Sequence, residues 1–253
     1  MRACASLRRP SRLRNSVLST EPKISIVIPC FNERATIRTL VDRVRAVDLP
    51  AREIVSNGTV AYLVAGHSLY VTDGTAANTQ LVANIGTGVF ESLESMTMFG
   101  SSVAVNFRSQ VIGQSTLFTS DGTAAGTIQV HGMVPNSNST RVGLGNTLLF
   151  TGTSTSGNEL WVTDGTLAGT AQLADIGIGA ASSSPGYLTL IGNNTVMFNA
   201  DDGVHGREPW ITDGTTSGTH LVANINSTAG ATLGSGAQTF VDAGGTAYFA
   251  ASD

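Results

Sequence analysis

The chain is poor in cysteine, poor in positive charge after its first fifth, and has no long apolar run. Each shortage narrows what it can be. The two cysteines, Cys4 and Cys30, both fall near the start, so no disulfide framework is expected. No stretch of about eighteen consecutive apolar residues occurs, so no membrane span is expected. Charged residues make up 13% and aromatics 6% of the chain. That composition suits a turn-dense β protein surfaced with Thr, Ser, Asn and Gly, and the 41% hydrophobic content is enough for a packed core. Eleven of the 14 Lys and Arg lie in residues 1–54 against five acids, a net +6, whereas residues 55–253 carry three Arg against 13 acids, a net −10. A break of this size marks two segments with different histories. The acidic larger part argues against a nucleic-acid partner.

What fills the larger part is a repeat. Thr163-Asp164-Gly165-Thr166 recurs as Thr72-Asp73-Gly74-Thr75, Ser120-Asp121-Gly122-Thr123 and Thr212-Asp213-Gly214-Thr215, with the Asp residues 48, 43 and 49 positions apart. A period in the forties belongs to propellers and solenoids. Short β-rich runs such as Thr147-Leu148-Leu149-Phe150 and Thr195-Val196-Met197-Phe198 follow Gly-Asn turns, and a second apolar run ends at each Asp-Gly. Gly supplies the positive φ that a chain reversal needs, Asp bonds its own backbone two residues on, and the flanking Thr hydroxyls satisfy turn amides. Each unit therefore reads as four antiparallel strands, a propeller blade.

Glu159-Leu160-Trp161-Val162-Thr163-Asp164-Gly165-Thr166 resembles the ELWxxDGT repeat of large secreted or cell-surface bacterial proteins. Glu208-Pro209-Trp210-Ile211-Thr212-Asp213-Gly214-Thr215 follows it closely. The first two copies lack the Glu and Trp, with Ser68-Leu69-Tyr70 and Thr116-Leu117-Phe118 in their places. The resemblance covers residues 53–253 and implies a propeller in a secreted or surface protein, with a protein or carbohydrate ligand.

Residues 1–21 are Arg- and Ser-rich and lack the apolar stretch of a secretory signal, so a basic disordered tail is expected. Next, Ile24-Ser25-Ile26-Val27-Ile28 reads as a buried strand, and residues 33–49 place Ile37, Leu40, Val41, Val44 and Val47 at helical spacing. This stretch, with Pro29-Cys30-Phe31-Asn32-Glu33 between strand and helix, resembles the opening of a family 2 glycosyltransferase. The resemblance implies that Pro29, Asn32 and Glu33 help hold a nucleotide-sugar donor. The family's next strand runs into an Asp-Asp-Gly-Ser turn, and a later Asp-x-Asp holds metal and diphosphate; here Ser56-Asn57-Gly58 follows instead and both acidic motifs are missing. Without clustered carboxylates to hold a divalent ion, a diphosphate leaving group has no charge stabilisation. Transferase activity is accordingly the alternative, in a fragment expected to be inactive.

Other candidate sites are sparse. Asp201 and Asp202 offer oxygens for calcium, but two adjacent acids are too few for its six to eight ligands, and a turn is the simpler reading. No other cofactor is expected. Trp161 and Trp210 suit either carbohydrate stacking or packing between blades, the latter being favoured. His67, His131, His205 and His220 share no repeat phase or metal spacing. No Gly-x-Ser-x-Gly elbow marks a nucleophile, so no catalytic residue is assigned. The expected fold is mainly β: a partial β-propeller of about four four-stranded blades (53–88, 89–135, 136–181 and 182–230) plus half of a fifth (231–253). A short strand–helix element over 22–52 precedes it. The whole reads as a truncated or chimeric chain whose work is structural or binding rather than catalytic.

Overall fold

The computed structural model describes residues 25–27, 53–85, 91–109, 114–130, 134–135, 141–227 and 234–253. The helix expected over 33–49, with Pro29, Asn32 and Glu33 beside it, lies outside the described residues. All regular structure among the described residues is β.

The first sheet runs β1 (Ser25–Val27), β2 (Glu53–Ser56), β3 (Ala61–Ala65), β4 (Ser68–Thr72) and β5 (Gln80–Asn84) in chain order. The second holds β6 (Glu91–Phe99), β7 (Ser102–Ser109), β8 (Ser115–Ser120) and β9 (Ile128–Gln129). In the third, β10 (Val134–Pro135) and β11 (Val142–Leu144) both pair with β12 (Thr147–Ser154), which is followed by β13 (Gly157–Thr163) and β14 (Ala171–Ala174). The fourth holds β15 (Gly186–Ile191), β16 (Thr195–Asp201), β17 (Arg207–Thr212) and β18 (His220–Leu221); a final hairpin pairs β19 (Gln238–Asp242) with β20 (Ala247–Ala250). In the third sheet Val134 lies opposite Thr153 and Pro135 opposite Gly152.

Among the described residues every pairing is antiparallel except one. Ser25 lies opposite Glu53 and Val27 opposite Val55 in parallel, while Glu53 also faces Val64 in the antiparallel β2–β3 ladder. Thus β2 does double duty: it receives β1 on one edge and opens the first blade on the other.

The sheets stack because alternate residues of each strand point to opposite faces and each face has a neighbour. In the third blade, Leu148, Phe150 and Trp161 face back onto Phe99, Ala104, Leu117 and Val130 of the second. Leu149 and Leu160, on the other face, meet Leu188, Val196 and Phe198 of the fourth. The second blade turns Val103, Val105 and Phe107 onto Val64 and Leu69 of the first, and the fourth turns Ile191 and Met197 onto Phe240 of the last hairpin. The opening strands of successive units touch in order, β2 to β6 to β11 to β15 to β19. The result is a partial β-propeller of four four-stranded blades plus half of a fifth. Since strands alternate in direction, the hairpins joining first to second strands share one end with the Asp-Gly-Thr corners, and the links between blades lie at the other.

Candidate functional site

The four Asp-Gly-Thr corners are one structure built four times. At the third, Asp164 Oδ1 accepts the Thr166 amide at 2.8 Å and its hydroxyl at 2.7 Å. The Gly165 amide donates to Thr163 Oγ1 at 3.0 Å, and the Gly169 amide to Thr166 Oγ1 at 2.9 Å. Thr163 and Thr170 join hydroxyls at 2.7 Å, and Thr170 also donates to the Thr166 carbonyl. Asp73, Asp121 and Asp213 accept from Thr75, Thr123 and Thr215 in the same way. These donors favour the ionised carboxylate. The Asn78 side chain, then Thr75, pull the Asp73 carboxyl down to about 2. Thr123, Thr166 and Thr215 likewise hold Asp121, Asp164 and Asp213 below the usual carboxylate range.

The glycines of the corners have two duties. Gly74, Gly122, Gly165 and Gly214 all take φ between 88° and 95°, a conformation that side chains resist. Three of them also receive a side chain from the preceding blade. A Cβ at Gly122 would lie 2.9 Å from Tyr62 Oη, one at Gly165 3.5 Å from Phe99, and one at Gly214 3.1 Å from Leu144. The corner is therefore a joint between blades as well as a turn within one. Thr119 Oγ1 donating to the Gly165 carbonyl at 2.9 Å ties the same joint. Burial beside Asp121 pushes the Tyr62 hydroxyl up to about 12.

At the opposite end sit two buried carboxylates. Glu159, fully buried in β13, accepts the amides of Ile176 and Gly177 at 3.2 Å and of Ser183 at 2.8 Å, and the Ser183 hydroxyl at 2.5 Å. Glu208, equally buried in β17, accepts the amides of Asn226 at 3.1 Å and Ser235 at 3.0 Å, and the Ser235 hydroxyl at 2.5 Å. Burying a carboxylate without donors is prohibitive; here the donors come from the segment leading into the next blade. The first-blade counterpart, Ser68, bonds Asn84 at 2.7 Å. In the second blade, where Thr116 takes the Glu position, Glu94 reaches in from a bulge in β6 to accept from Ser115 at 2.9 Å and from Asn106. The sequence reading saw Glu159 and Glu208 only as letters of a motif. The signal for their role is an acid inside an apolar strand paired with a serine 24 to 27 residues on.

Trp161 packs against the second blade and Trp210 against the third, its ring 6.5 Å from that of Phe198 in its own blade. The favoured packing role is the one adopted. The Asp201–Asp202 loop is a turn tied to itself. Asp201 Oδ1 accepts the Gly203 amide at 2.8 Å, and Asp202 Oδ1 accepts the amides of Val204 at 2.9 Å and His205 at 2.8 Å. Asp202 Oδ2 meets His205 Nδ1 at 2.7 Å. Burial opposes the charge on Asp202, yet the His205 amide and ring and the Val204 amide outweigh it and hold its pKa below the usual value. Among the described residues no group of three or more His, Cys, Asp or Glu is placed to hold a metal ion, and no helix is long and apolar enough to cross a membrane.

No protein-family model matches the chain, and no curated relative matches it. Solved structures give remote likenesses. TolB from Agrobacterium tumefaciens is 14% identical with a TM-score of 0.39, over 78% of this chain and 67% of that one. A prolyl endopeptidase is 15% identical with a TM-score of 0.39, over 67% of this chain but 25% of its own length. A puromycin hydrolase mutant is 13% identical with a TM-score of 0.42, over 76% of this chain and 32% of its own length. The chain thus spans about a quarter and a third of the two hydrolases. Likenesses this distant do not speak to activity, and the propeller assignment stands on the sheets and their stacking.

Proposed function

We propose that the chain is a non-catalytic structural or binding module of the ELWxxDGT-repeat type, belonging to a secreted or cell-surface protein whose partner is a protein or a carbohydrate. The observation behind this reading is that the motif's chemistry-bearing residues are all spent on architecture. The Asp carboxylates brace corners, the Glu carboxylates secure links between blades, and the Trp rings fill the space between sheets. Among the described residues none belongs to a group of three or more His, Cys, Asp or Glu gathered on a common point. A scaffold of this kind presents loops rather than a reactive centre.

The test is titration with a nucleoside diphosphate plus manganese, alongside a glycan array and a calcium-dependent melt. The module reading expects no nucleotide binding. Saturable nucleotide binding that requires manganese and is lost in Glu33→Ala would replace it with the glycosyltransferase reading. A calcium-dependent rise in Tm lost in Asp202→Asn would add a metal to the Asp201–Asp202 loop.

A further inference from the structure

Ser56-Asn57-Gly58-Thr59, between β2 and β3, repeats the chemistry of the Asp-Gly-Thr corners with an amide where they carry an acid. The Gly58 amide donates to Ser56 Oγ at 3.0 Å, as the Gly122 amide donates to Ser120 Oγ at 3.1 Å. The Thr59 amide donates to Asn57 Oδ1 at 3.0 Å, as the Thr123 amide donates to Asp121 Oδ1 at 2.8 Å. Gly58 and Gly122 both take φ 92°. The corner is thus built once more at a hairpin from first to second strand, with Asn57 in the role of Asp121.

No other asparagine in the chain is followed by glycine. At an Asn-Gly step the next backbone nitrogen reaches the side-chain carbonyl with least hindrance, because glycine has no Cβ. The corner supplies what that attack needs. The amides of Thr59 and Val60, at 3.0 Å and 3.1 Å, point at Asn57 Oδ1, where negative charge develops as a nucleophile adds to the carbonyl. Ser56 Oγ accepts the Gly58 N–H while donating its own hydrogen to the Val60 carbonyl at 2.8 Å, so the attacking nitrogen is polarised. Asn57, Gly58 and Thr59 are exposed to water. Asn57 Nδ2 meets the Gly100 carbonyl of the second blade at 3.4 Å, a long contact that holds the leaving nitrogen weakly.

We propose that Asn57 is a self-modification site: in the folded protein it deamidates through the Gly58 nitrogen, and the resulting aspartate completes a Ser-Asp-Gly-Thr corner like that of the second blade. The Gly58 nitrogen bonds to Asn57 Cγ and gives up its proton, the Cγ–Nδ2 bond breaks, and ammonia departs. Water then opens the cyclic imide between Cγ and the Gly58 nitrogen. Opening at the backbone carbonyl instead would lengthen the main chain by an atom and break the bonds of the corner. The four aspartate corners are spared the parallel reaction, since their carboxyls are held ionised and an ionised carboxylate is a poor electrophile. The site is independent of the module reading, and the failure of one leaves the other intact.

The test compares the whole folded protein with a synthetic peptide of residues 53–64 in mildly alkaline buffer, followed by peptide mapping and mass spectrometry. Conversion at Asn57 should be faster in the protein than in the peptide, with aspartate as the main product. Ser56→Ala should slow it about fivefold, the scale of one hydrogen bond. Asn57→Asp, which carries the product from the outset, should keep the wild-type Tm at neutral pH. Slower conversion in the protein than in the peptide would overturn the proposal, since the corner would then shield the asparagine. An unchanged rate in Ser56→Ala, isoaspartate as the main product, or a Tm lowered by several degrees in Asn57→Asp would each overturn it too.

Discussion

Ser183 meets Glu159 twice, with its amide 2.8 Å and its hydroxyl 2.5 Å from the carboxylate, and so fastens the entry to the fourth blade onto the third strand of the third. Ser235 does the same for Glu208 one repeat later. The pair explains why an acid is tolerated at a fully buried position. It also predicts the cost of removing it. Glu159→Ala strands the amides of Ile176, Gly177 and Ser183, and an unpaired buried donor costs about 1–3 kcal/mol. A loss of roughly 3 kcal/mol or more in urea unfolding is expected, with Thr116→Ala, at the equivalent second-blade position, costing less than 1 kcal/mol.

A second prediction uses the first corner as an internal control. A Cβ at Gly169 would lie 2.1 Å from the Asp164 carboxylate, and the same holds at Gly126 against Asp121. The first corner nonetheless carries Asn78 there, whose side chain donates to Asp73 Oδ2 at 2.7 Å while its amide bond to Thr75 Oγ1 stretches to 3.2 Å. Gly169→Ala should therefore destabilise by about 1–3 kcal/mol through the clash. Gly169→Asn should recover part of that loss, because its amide rewards the displaced carboxylate. Equal melting temperatures for the two variants would contradict the account.

The corners also set the acid limit. All four Asp carboxyls are held below their ordinary value in the folded chain. A depressed folded pKa contributes stability that is present above the unfolded value and lost as pH falls through the folded one. The loss should begin near pH 4 and, for Asp73, continue to about 2. Thermal melts from pH 5 to pH 2.5 should show a falling Tm, with a shallower slope in Asp73→Asn. A flat Tm over that range would remove the corners from the stability of the fold.

Backbone strain gives a fourth prediction. Ser184 sits at φ 46°, where its counterpart Gly236 sits at φ 60°. Ser184→Gly should stabilise by roughly 0.5–1 kcal/mol, since a side chain is costly in this region. The Ser184 carbonyl, which accepts from Arg207 at 2.8 Å, is unaffected by the change.

The repeat was open to sequence reasoning because its period, its Asp-Gly corners and its strand runs are local features. Thr163, Asp164 and Gly165 do in the structure what short-range chemistry says they should. Contacts between blades were harder to see. Nothing near Gly165 in sequence announces Phe99, and nothing near Glu159 announces Ser183. Both relationships join residues brought together only when one sheet lies on the next. Glu94 was hidden for a different reason: it enters through a β6 bulge, which shifts the register and gives the second blade a carboxylate from the opposite side of its sheet. The strand at 25–27 was legible as a parallel strand, and its partner is β2.

The most direct test of the whole account is native-state hydrogen exchange at the amides of Ser183 and Ser235. Each lies outside a strand, yet each donates to a buried glutamate. If the glutamates join blade to blade, these two amides will exchange as slowly as those of β13 and β17, and Ser183 alone will lose protection in Glu159→Ala. If both exchange at the rate of exposed loops while the strands stay protected, the blades are not held this way.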